Sequence, residues 1–322
     1  MKILFEHDGI LPVTRYGGTE RVIFWHMREL VRQGHQVFCI CDERSKLSEY
    51  GIHLIPSTGD SDWSALIPSG IDIIHLTYTP NFKLDIPYLV MINGNGKIGE
   101  YFPHNTVFVS RKHALNHGSV VFVDNGLDFT EYPFIPRPRH SWSDFLFLAK
   151  ASWKVKNLKD CVAAARKSKK HLHVGGGRSW AISRFVRSYG MVDQSDKREL
   201  LGRCDALLFP VRWEEPFGLA VIEAMSNGLP VIASPYGSLP DLVKPKTGVI
   251  CRDFSHLVEI LSWSVNPFDP EEIRAYVESA YAVKSMTDKY LQYYKRIIAG
   301  EKLNKEMPCW KAMHAPEELL PF

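Results

Sequence analysis

Apolar and polar residues alternate in short blocks from the first residues of the chain onward. Two apolar runs, Lys2–Glu6 and His35–Cys41, flank a glycine-containing loop and a longer polar–apolar stretch. In that stretch apolar residues recur at helical spacing: Val22, Ile23, Met27, Leu30 and Val31. A strand, a glycine-rich loop, a helix and a second strand in this order predict a βαβ unit with parallel strands.

The same alternation continues along the chain and is interrupted once. Further strands are predicted at "IDIIHLT", "PYLVMIN", "NTVFVS" and "SVVFVDN". A polar, proline-rich break follows at Glu131–Asp144, and its composition is typical of a linker. The pattern then restarts with strands at "FLFLAK", "HLHVGGG", "DALLFPV" and "PVIASP" and helices at "LKDCVAAARKS", "AISRFVRSYG" and "DKRELLGRC". We therefore expect an α/β protein of two Rossmann-like, doubly wound domains facing a cleft, residues 1–137 and 138–285.

A last amphipathic helix is predicted in residues 286–322, at "TDKYLQYYKRIIAG". One apolar stripe runs along it: Tyr290, Leu291, Tyr294 and Ile297. This stripe is larger than a free tail needs, which favours packing of the helix against another part of the chain.

Composition narrows the classes of function. The chain has 322 residues, 45% of them hydrophobic, and a net charge of +3, which is too small to indicate nucleic-acid binding. Residues 1–137 carry a net charge of −3 and residues 138–322 one of +6, so the second domain is the better candidate for an anionic ligand. No two of the six cysteines have metal-ligand spacing, and no apolar run is long enough for a signal peptide or membrane span. We expect reduced thiols, a cytoplasmic location and no metal site.

The segment Trp213–Ser234, "WEEPFGLAVIEAMSNGLPVIAS", carries the most specific chemistry. The segment directly follows a predicted strand, and Pro216 suits the first turn of a helix. The free backbone N–H groups of such a helix start bind anions, and Gly218 lets a ligand approach the backbone closely. Glu215 and Glu223 can then face one pocket and accept hydrogen bonds from hydroxyl groups. Paired hydroxyls together with an anion are the features of a nucleotide sugar. A helix start that merely favours acidic residues is the structural alternative.

This segment resembles the E-x7-E motif of family 4 glycosyltransferases, whose two Rossmann-like domains form the arrangement called GT-B. The resemblance continues through "RELLGRCDALLFPVRW", "GSLPDLV", "TGVIC", "YGGTERV" and "VSRKHA...VDNGLD", so it covers most of the chain. It implies a retaining transfer of a sugar from a nucleoside diphosphate to an acceptor hydroxyl, without a metal or other cofactor. It also implies that the first domain faces the acceptor and that the C-terminal helix crosses back to that domain.

Site residues follow from the same resemblance. Glu223 corresponds to the acid that binds the ribose hydroxyls, and Glu215 to the acid that binds the transferred sugar, aided by the N–H groups of Phe217, Gly218 and Leu219. Gly17 and Gly18 correspond to the glycines that approach the diphosphate. The cations expected at the diphosphate are Lys150, where relatives carry arginine, and Lys156, for which Lys154 is a competitor. Asn93 stands where many relatives carry a histidine that contacts the donor sugar.

Three other patterns are weaker. "NGNGKIG" has Gly94, Gly96 and Gly99 in the spacing of a dinucleotide-binding motif, but no helix fits before the next strand, so we predict a loop. "GGGR", residues 175–178, lacks the lysine and serine or threonine of a phosphate loop and is predicted to be a turn at a strand end. Four histidines without evident metal or catalytic partners are expected to be structural or exposed: His35, His75, His113 and His117.

Taken together, the sequence predicts a glycosyltransferase that uses a nucleotide sugar and a glycan, lipid-linked or small-molecule acceptor. Peripheral contact with the inner face of a membrane stays open, and nucleic acid is not expected. Two alternatives are left: a nucleotide-sugar epimerase on a similar two-domain frame, and an inactive partner subunit that binds a nucleotide sugar without turnover.

Overall fold

A computed structural model describes residues 1–13, 17–136, 140–179 and 183–322 of the chain. These residues form two compact units. Unit 1 comprises Met1–Val13, Gly17–Asp128 and Val283–Met313, and unit 2 comprises the described residues of Phe129–Ala282 together with His314–Phe322. The predicted boundary between residues 137 and 138 lies outside the described residues, and the units divide earlier, after Asp128.

Unit 1 is built on a six-stranded parallel sheet. In chain order its elements are β1 (Lys2–Glu6), α1 (Gly18–Arg32), β2 (Gln36–Cys41), β3 (His53–Pro56), β4 (Ile73–Leu76), β5 (Tyr88–Ile92), β6 (Thr106–Phe108) and α2 (Arg111–Asn116). The strand order is β3-β2-β1-β4-β5-β6, and Phe5 in the middle of the sheet is in register with Cys39 on one side and His75 on the other. The strand order reverses between β1 and β4, so the chain continues from β1 toward one side edge of the sheet and from β4 toward the other.

The strand predicted at "SVVFVDN" does not form. Phe108 donates its N–H to the carbonyl of Val121 and accepts from the N–H of Val123, which makes a single parallel bridge beside β6. β6 is only three residues long, because Ser110 already caps the following helix α2 by accepting from the N–H of His113. The short partner strand leaves no further ladder for residues 119–125 to join.

Unit 2 contains a second six-stranded parallel sheet. Its elements are β7 (Asp144–Leu148), α3 (Leu158–Ser168), β8 (His171–Gly175), β9 (Val186–Gly190), α4 (Gln194–Arg203), β10 (Ala206–Phe209), α5 (Leu219–Ser226), β11 (Val231–Ala233), α6 (Leu239–Leu242), β12 (Gly248–Ile250), α7 (Phe254–Leu261) and α8 (Pro270–Ala280). The order β12-β11-β10-β7-β8-β9 repeats the arrangement of unit 1, with its reversal between β7 and β10. The expected doubly wound α/β fold is thereby confirmed in both units.

The prediction of a helix at "AISRFVRSYG" is wrong. Residues 181 and 182 lie outside the described part, and Val186–Gly190 form the edge strand β9, in register with β8 from Leu172↔Val186 onward. Gly190 accepts hydrogen bonds from the N–H groups of Gly176 and Gly177, which closes the predicted turn at the end of β8. The hydrogen-bond ladder offered by β8 outweighs the helical spacing of a few apolar side chains.

The C-terminal helix α9 (Val283–Ile298) belongs to unit 1, as the fold prediction required. Its buried face contains Tyr290 and Tyr294 and begins earlier than predicted, at Val283, whereas Leu291 is only partly buried. The residues after Met313 do not follow the helix, because His314–Phe322 belong to unit 2.

Two buried histidines connect α9 to the rest of unit 1. His26 on α1 lies 2.8 Å through Nδ1 from the hydroxyl of Thr287 and 2.9 Å through Nε2 from that of Tyr294. The Tyr294 hydroxyl also lies 2.5 Å from Nδ1 of His75 on β4. Gln33 donates to Asp288 at 2.9 Å at the edge of this contact. One tyrosine hydroxyl therefore joins three elements that are far apart in sequence.

None of the helices within the described residues combines the length and apolarity needed to cross a bilayer. All six cysteines are buried thiols.

We predict that unit 1 loses stability as the pH falls below neutrality. Burial lowers the pKa of five of its histidines, that of His75 to about 3: His26, His35, His75, His113 and His117. Between a lowered pKa and about 6.5 the unfolded chain binds more protons than the folded one, so the free energy of unfolding decreases with pH. Each fully buried histidine contributes up to about 1.4 kcal/mol per pH unit in this range.

Urea unfolding between pH 7.5 and 5 measures this slope. Because burial raises the pKa of Glu6, which acts in the opposite sense, the test compares variants at each pH. His75→Phe should flatten the slope, and replacement of the exposed His53 by Gln should leave it unchanged. An equal slope in all three proteins would contradict the prediction.

Candidate functional site

The predicted site residues of unit 2 meet at the carboxyl edge of its sheet. The loop after β7 carries Lys150 and Lys156, and the loop after β10 carries Glu215. β7 and β10 are neighbours and mark the reversal of strand order. In open α/β sheets this is the place where a crevice forms and ligands bind. The topology therefore brings together residues that are about 60 positions apart in sequence.

Glu215 forms a buried ion pair with Lys156. The Lys156 Nζ lies 2.7 Å from Oε2 of Glu215, and the indole N–H of Trp213 donates to the same oxygen at 2.6 Å. The ammonium group also lies over the Trp213 ring, 4.7 Å from its centroid. Both charged side chains are buried. The charge of the lysine is therefore held in place before any ligand arrives.

A glycine turn sets the backbone of Glu215. A Cβ added at Gly237 would lie 2.2 Å from both the amide nitrogen and the carbonyl oxygen of Glu215, and the φ of Gly237 is +61°. The next residue, Ser238, donates its N–H to the Glu215 carbonyl at 2.9 Å and its hydroxyl to the Phe217 carbonyl at 2.5 Å. Only glycine permits this approach, so the contact with the Glu215 backbone requires a glycine as the first residue of "GSLPDLV".

Helix α5 starts later than predicted. Pro216 is not in its first turn, because the helix begins at Leu219 and Gly218 is its N-terminal cap with a φ of +95°. The left-handed conformation of Gly218 turns the chain into the helix after a buried Phe217. Within the described residues, the N–H groups of Phe217, Gly218 and Leu219 have no protein acceptor. Three donors at a helix start can bind an anion or sugar oxygens.

Glu223, on the second turn of α5, forms a second buried ion pair. Its Oε1 lies 2.5 Å from Nζ of Lys197, on α4, and accepts the hydroxyl of Tyr132 at 2.6 Å. Glu223 and Lys197 are both buried, and Tyr132 is almost completely so. This second pair has the same composition as the first: a carboxylate, a lysine and an aromatic hydrogen-bond donor.

Each of the two carboxylates uses only one of its oxygens within the described part of the chain. Lys156 and Trp213 share Oε2 of Glu215, while Lys197 and Tyr132 share Oε1 of Glu223. The other oxygen of each has no partner among the described residues, and neither of these two atoms is sealed from solvent. A carboxylate oxygen accepts up to two hydrogen bonds, so each group keeps capacity for the hydroxyls of a ligand.

The remaining cations of the loop after β7 are exposed. The Nζ of Lys150 lies over the ring of Trp153 at 4.9 Å, and Lys150 makes no ion pair among the described residues. Lys154 is exposed as well, which leaves Lys156 as the lysine that the structure places beside Glu215. Ala149, the residue before Lys150, lies against the "GGGR" turn: its carbonyl oxygen would be 2.2 Å from a Cβ added at Gly176.

Three predicted residues lie in unit 1, at the carboxyl edge of its own sheet. Gly17 caps the start of α1 and Gly18 is the first residue of that helix, in the loop region after β1. Asn93 directly follows β5, and its Nδ2 is buried without a hydrogen-bond acceptor in the described residues. An unsatisfied buried donor carries a cost of about 1–3 kcal/mol, so an acceptor from a ligand would stabilise this side chain.

The histidines that the sequence assigned a structural role do have one. His113 and His117 lie 3.0 and 2.9 Å from the carbonyls of Gly94 and Asn95 and so hold the loop after β5. This is the "NGNGKIG" segment, which is a loop as predicted.

Sequence reasoning missed Lys197, Tyr132 and the contact of Trp213. Lys197 lies on the buried face of α4 with Leu200 and Leu201, at helical spacing. A lysine in an apolar stripe requires a buried counter-charge, and this signal could have identified it. Tyr132 is in the proline-rich segment taken as a linker, where nothing in the local pattern indicates a buried contact with α5.

The part of the chain that carries this geometry matches a known protein family. Residues 129–281, which contain both ion pairs, match the family described as "Glycosyl transferases group 1". This part of the chain is therefore similar to group 1 glycosyltransferases. The helix start, the paired acids and the glycine turn all lie within the matched residues.

Similar proteins extend the comparison. A glycogen synthase of Mycobacterium tuberculosis is 30% identical over 158 residues, which are 43% of this chain and 38% of that protein, so the chain spans well under half the length of this relative. The structure of AviGT4, a glycosyltransferase involved in avilamycin A biosynthesis, has a TM-score of 0.75 at 18% identity and covers 93% of this chain and 98% of its own. Anabaena HepE in complex with UDP-glucose has a TM-score of 0.62 at 15% identity, with 92% and 99% covered. These structures show that the fold of this chain is GT-B.

We predict that the Lys197–Glu223 pair is strongly coupled. Lys197→Met leaves a buried carboxylate without its counter-charge and should destabilise the protein by about 3–5 kcal/mol. Adding Glu223→Gln in the same chain should recover part of this loss, because the second change removes the unpaired charge. Urea unfolding of the single and double variants measures the coupling.

The control is Arg198→Met on the same helix, one residue away and exposed. It should change the free energy of unfolding by no more than about 0.5 kcal/mol. Equal effects at positions 197 and 198 would show that the buried pair contributes nothing special.

Proposed function

We propose that the protein is a retaining glycosyltransferase that transfers a hexose from a nucleoside-diphosphate sugar to an acceptor hydroxyl. The observation that carries the proposal is the pair of carboxylates Glu215 and Glu223 beside the N–H groups at the start of α5. Each carboxylate has one oxygen, and each N–H group its hydrogen, without a partner among the described residues. Hydroxyl acceptors and anion donors at one sheet edge fit a sugar linked to a diphosphate. A domain of the glycosyltransferase group 1 family supports the reaction class.

The two acids divide the donor between them. Glu223 binds the ribose hydroxyls through the oxygen that Lys197 and Tyr132 leave open. Glu215 binds hydroxyls of the transferred sugar, while the N–H groups of Phe217, Gly218 and Leu219 donate to oxygens of the sugar or diphosphate. Support for this division is that both acids are held on one oxygen by protein donors and so present the other in a defined direction.

Cations and glycines serve the diphosphate in this proposal. Lys156 already lies at Glu215, and Lys150 is an exposed lysine on the same loop. Positive charge that is already in position stabilises the negative charge that develops on a leaving diphosphate, and a metal ion is then not required. Gly17 and Gly18 offer backbone N–H groups to the diphosphate, and Asn93 offers its unsatisfied Nδ2 to the donor sugar.

The chemical step follows a front-face course. The bond between the anomeric carbon and the phosphate oxygen breaks as the acceptor oxygen approaches from the same side, which retains the configuration. The acceptor hydroxyl gives its proton to the departing phosphate oxygen, so no protein base is assigned. The role of Glu215 is to orient the sugar and to keep Lys156 near the charge that develops.

The identity of the donor and of the acceptor is suggested only by similarity to proteins of known structure. HepE was crystallised with UDP-glucose, which makes UDP-hexoses the first donors to test. A glycan, lipid-linked or small-molecule acceptor stays a prediction, as do a cytoplasmic location and contact with a membrane surface. Nucleic acid is not among the proposed partners.

Release of nucleoside diphosphate tests the proposal. The protein is incubated with UDP-, ADP- or GDP-hexoses, chosen by the increase in melting temperature that each produces, and with a panel of hydroxyl acceptors. We expect free nucleoside diphosphate only when an acceptor is present, and an unchanged rate in excess EDTA. A 4-epimer formed without release would indicate an epimerase, and donor binding without any reaction would indicate a binding subunit. A rate restored only by Mg²⁺ or Mn²⁺ would contradict the role of the lysines.

We predict that the two acids affect different kinetic constants. Glu223→Gln should weaken donor binding by about 1–3 kcal/mol, since it replaces a charged acceptor of ribose hydrogen bonds. Glu215→Gln should mainly lower kcat, because its contacts concern the reacting sugar and Lys156. Calorimetric donor Kd and steady-state kinetics separate the effects. Glu199→Gln, at an exposed acid on α4, is the control. The roles are reversed if Glu215→Gln changes only the donor Kd.

A further inference from the structure

The last residues of the chain dock on unit 2 rather than extending from unit 1. Residues 314–322, here called the C-terminal tail, belong to unit 2 although helix α9 before them belongs to unit 1. The tail begins with a compact turn, in which Glu318 donates its N–H to the Ala315 carbonyl at 3.0 Å and Pro316 is buried. Nothing in its sequence pattern, "HAPEELLPF", predicts a fixed position.

Four contacts hold the end of the tail. Leu320 is 1% exposed, its N–H donates to the carbonyl of Arg212 at 2.9 Å, and its own carbonyl accepts from Nε of Arg212 at 2.6 Å. The hydroxyl of Tyr236 donates to the carbonyl of Pro321 at 2.5 Å. Phe322 packs against the hydrophobic core of unit 2. Such a set of paired backbone bonds and buried apolar contacts fixes a segment rather than letting it fray.

The residues that receive the tail adjoin the candidate site directly. Arg212 precedes Trp213, whose indole donates to Glu215, and the N–H of Arg212 donates to the carbonyl of Val155 at 2.7 Å, next to Lys156. Tyr236 precedes Gly237, the residue whose backbone lies against that of Glu215. Through these two residues the tail contacts the loop of Glu215 and the turn that sets its backbone, and Arg212 connects both to the loop of Lys156.

We propose that the C-terminal tail positions the Lys156–Glu215 pair for catalysis. This inference rests on the proposed function of the pair. The tail itself touches no reacting group, so its residues act through Arg212 and Tyr236. Without the tail, the Arg212 guanidinium and carbonyl lose their partners and the loop of residues 211–217 loses one of its supports. A displacement of about 1 Å at reacting groups lowers turnover by up to about 100-fold.

Two adjacent leucines provide a matched test. Leu320 is buried, whereas Leu319 is 45% exposed. Leu320→Ala should lower kcat by about 10- to 100-fold with little change in the donor Kd, because Glu223 and Lys197 have no contact with the tail. Leu319→Ala should leave both constants as in the unaltered chain. Tyr236→Phe, which removes only the hydrogen bond to Pro321, should lower kcat to a smaller extent.

Restoration in trans extends the test to the whole tail. A chain ending at Met313 should bind donor but turn over slowly, and a synthetic peptide of residues 314–322 should restore kcat in a saturable manner. The peptide with Leu319→Ala should restore it equally well, and the peptide with Leu320→Ala should not. If the shortened chain does not fold, the comparison of Leu320→Ala with Leu319→Ala in the full chain decides.

Hydrogen exchange separates failure of this inference from failure of the proposed function. Backbone amides of residues 211–217 should exchange faster in Leu320→Ala than in Leu319→Ala, whether or not the correct acceptor is known. An unaltered chain without turnover would refute the proposed function alone. Full kcat and unchanged exchange in Leu320→Ala, or equal rescue by both altered peptides, would overturn the positioning role of the tail.

Discussion

Two buried carboxylate–lysine pairs, Glu215–Lys156 and Glu223–Lys197, are the constraint around which unit 2 is arranged. Removing four charges from water costs several kcal/mol per ion, and a pair of apolar side chains would often stabilise a fold as well or better. The compensation here is local: each carboxylate also accepts from an aromatic donor, Trp213 or Tyr132. Each carboxylate also keeps one oxygen without a partner among the described residues, and the proposed ligand-binding role rests on this feature.

The parallel sheet makes this arrangement possible. The parallel neighbours β7 and β10 end at the same edge of the sheet, so the loops that follow them meet and Lys156 approaches Glu215 at the reversal of strand order. The glycines then remove the steric obstacles: Gly237 lets one turn lie against the Glu215 backbone, and Gly218 bends the chain into α5. The helix in turn presents Glu223 to Lys197 on α4. Strand order thus sets which loops meet, and glycine chemistry sets how closely.

The sequence predicted what local patterns can encode. Periodicity was sufficient for two doubly wound sheets, and the segment of Glu215 and Glu223, together with its resemblance to a known motif, indicated the part of the candidate site that lies on one continuous segment. Tyr132 was missed because it reaches Glu223 from a segment 91 residues away. The apolar face around Lys197 signals a buried counter-charge, but it does not encode which acid, here 26 residues away, supplies that charge. The edge strand β9 was taken for a helix, since its ladder partner β8 is also non-local information. The docking of Leu320 on Arg212 is another contact of this kind, separated by 108 residues.

The two lysines after β7 differ in a way that bears on how a leaving diphosphate is stabilised. Lys150 is exposed and must give up side-chain freedom, about 1.5–2 kcal/mol for a lysine, before it can hold a phosphate oxygen. Lys156 has already given up that freedom, because Glu215, Trp213 and the core hold its ammonium group. A charge that is fixed in a buried site stabilises a developing anion without reorganisation at the moment of reaction. In the proposed reaction we therefore assign Lys156 to the transition state and Lys150 to capture of the donor as it enters.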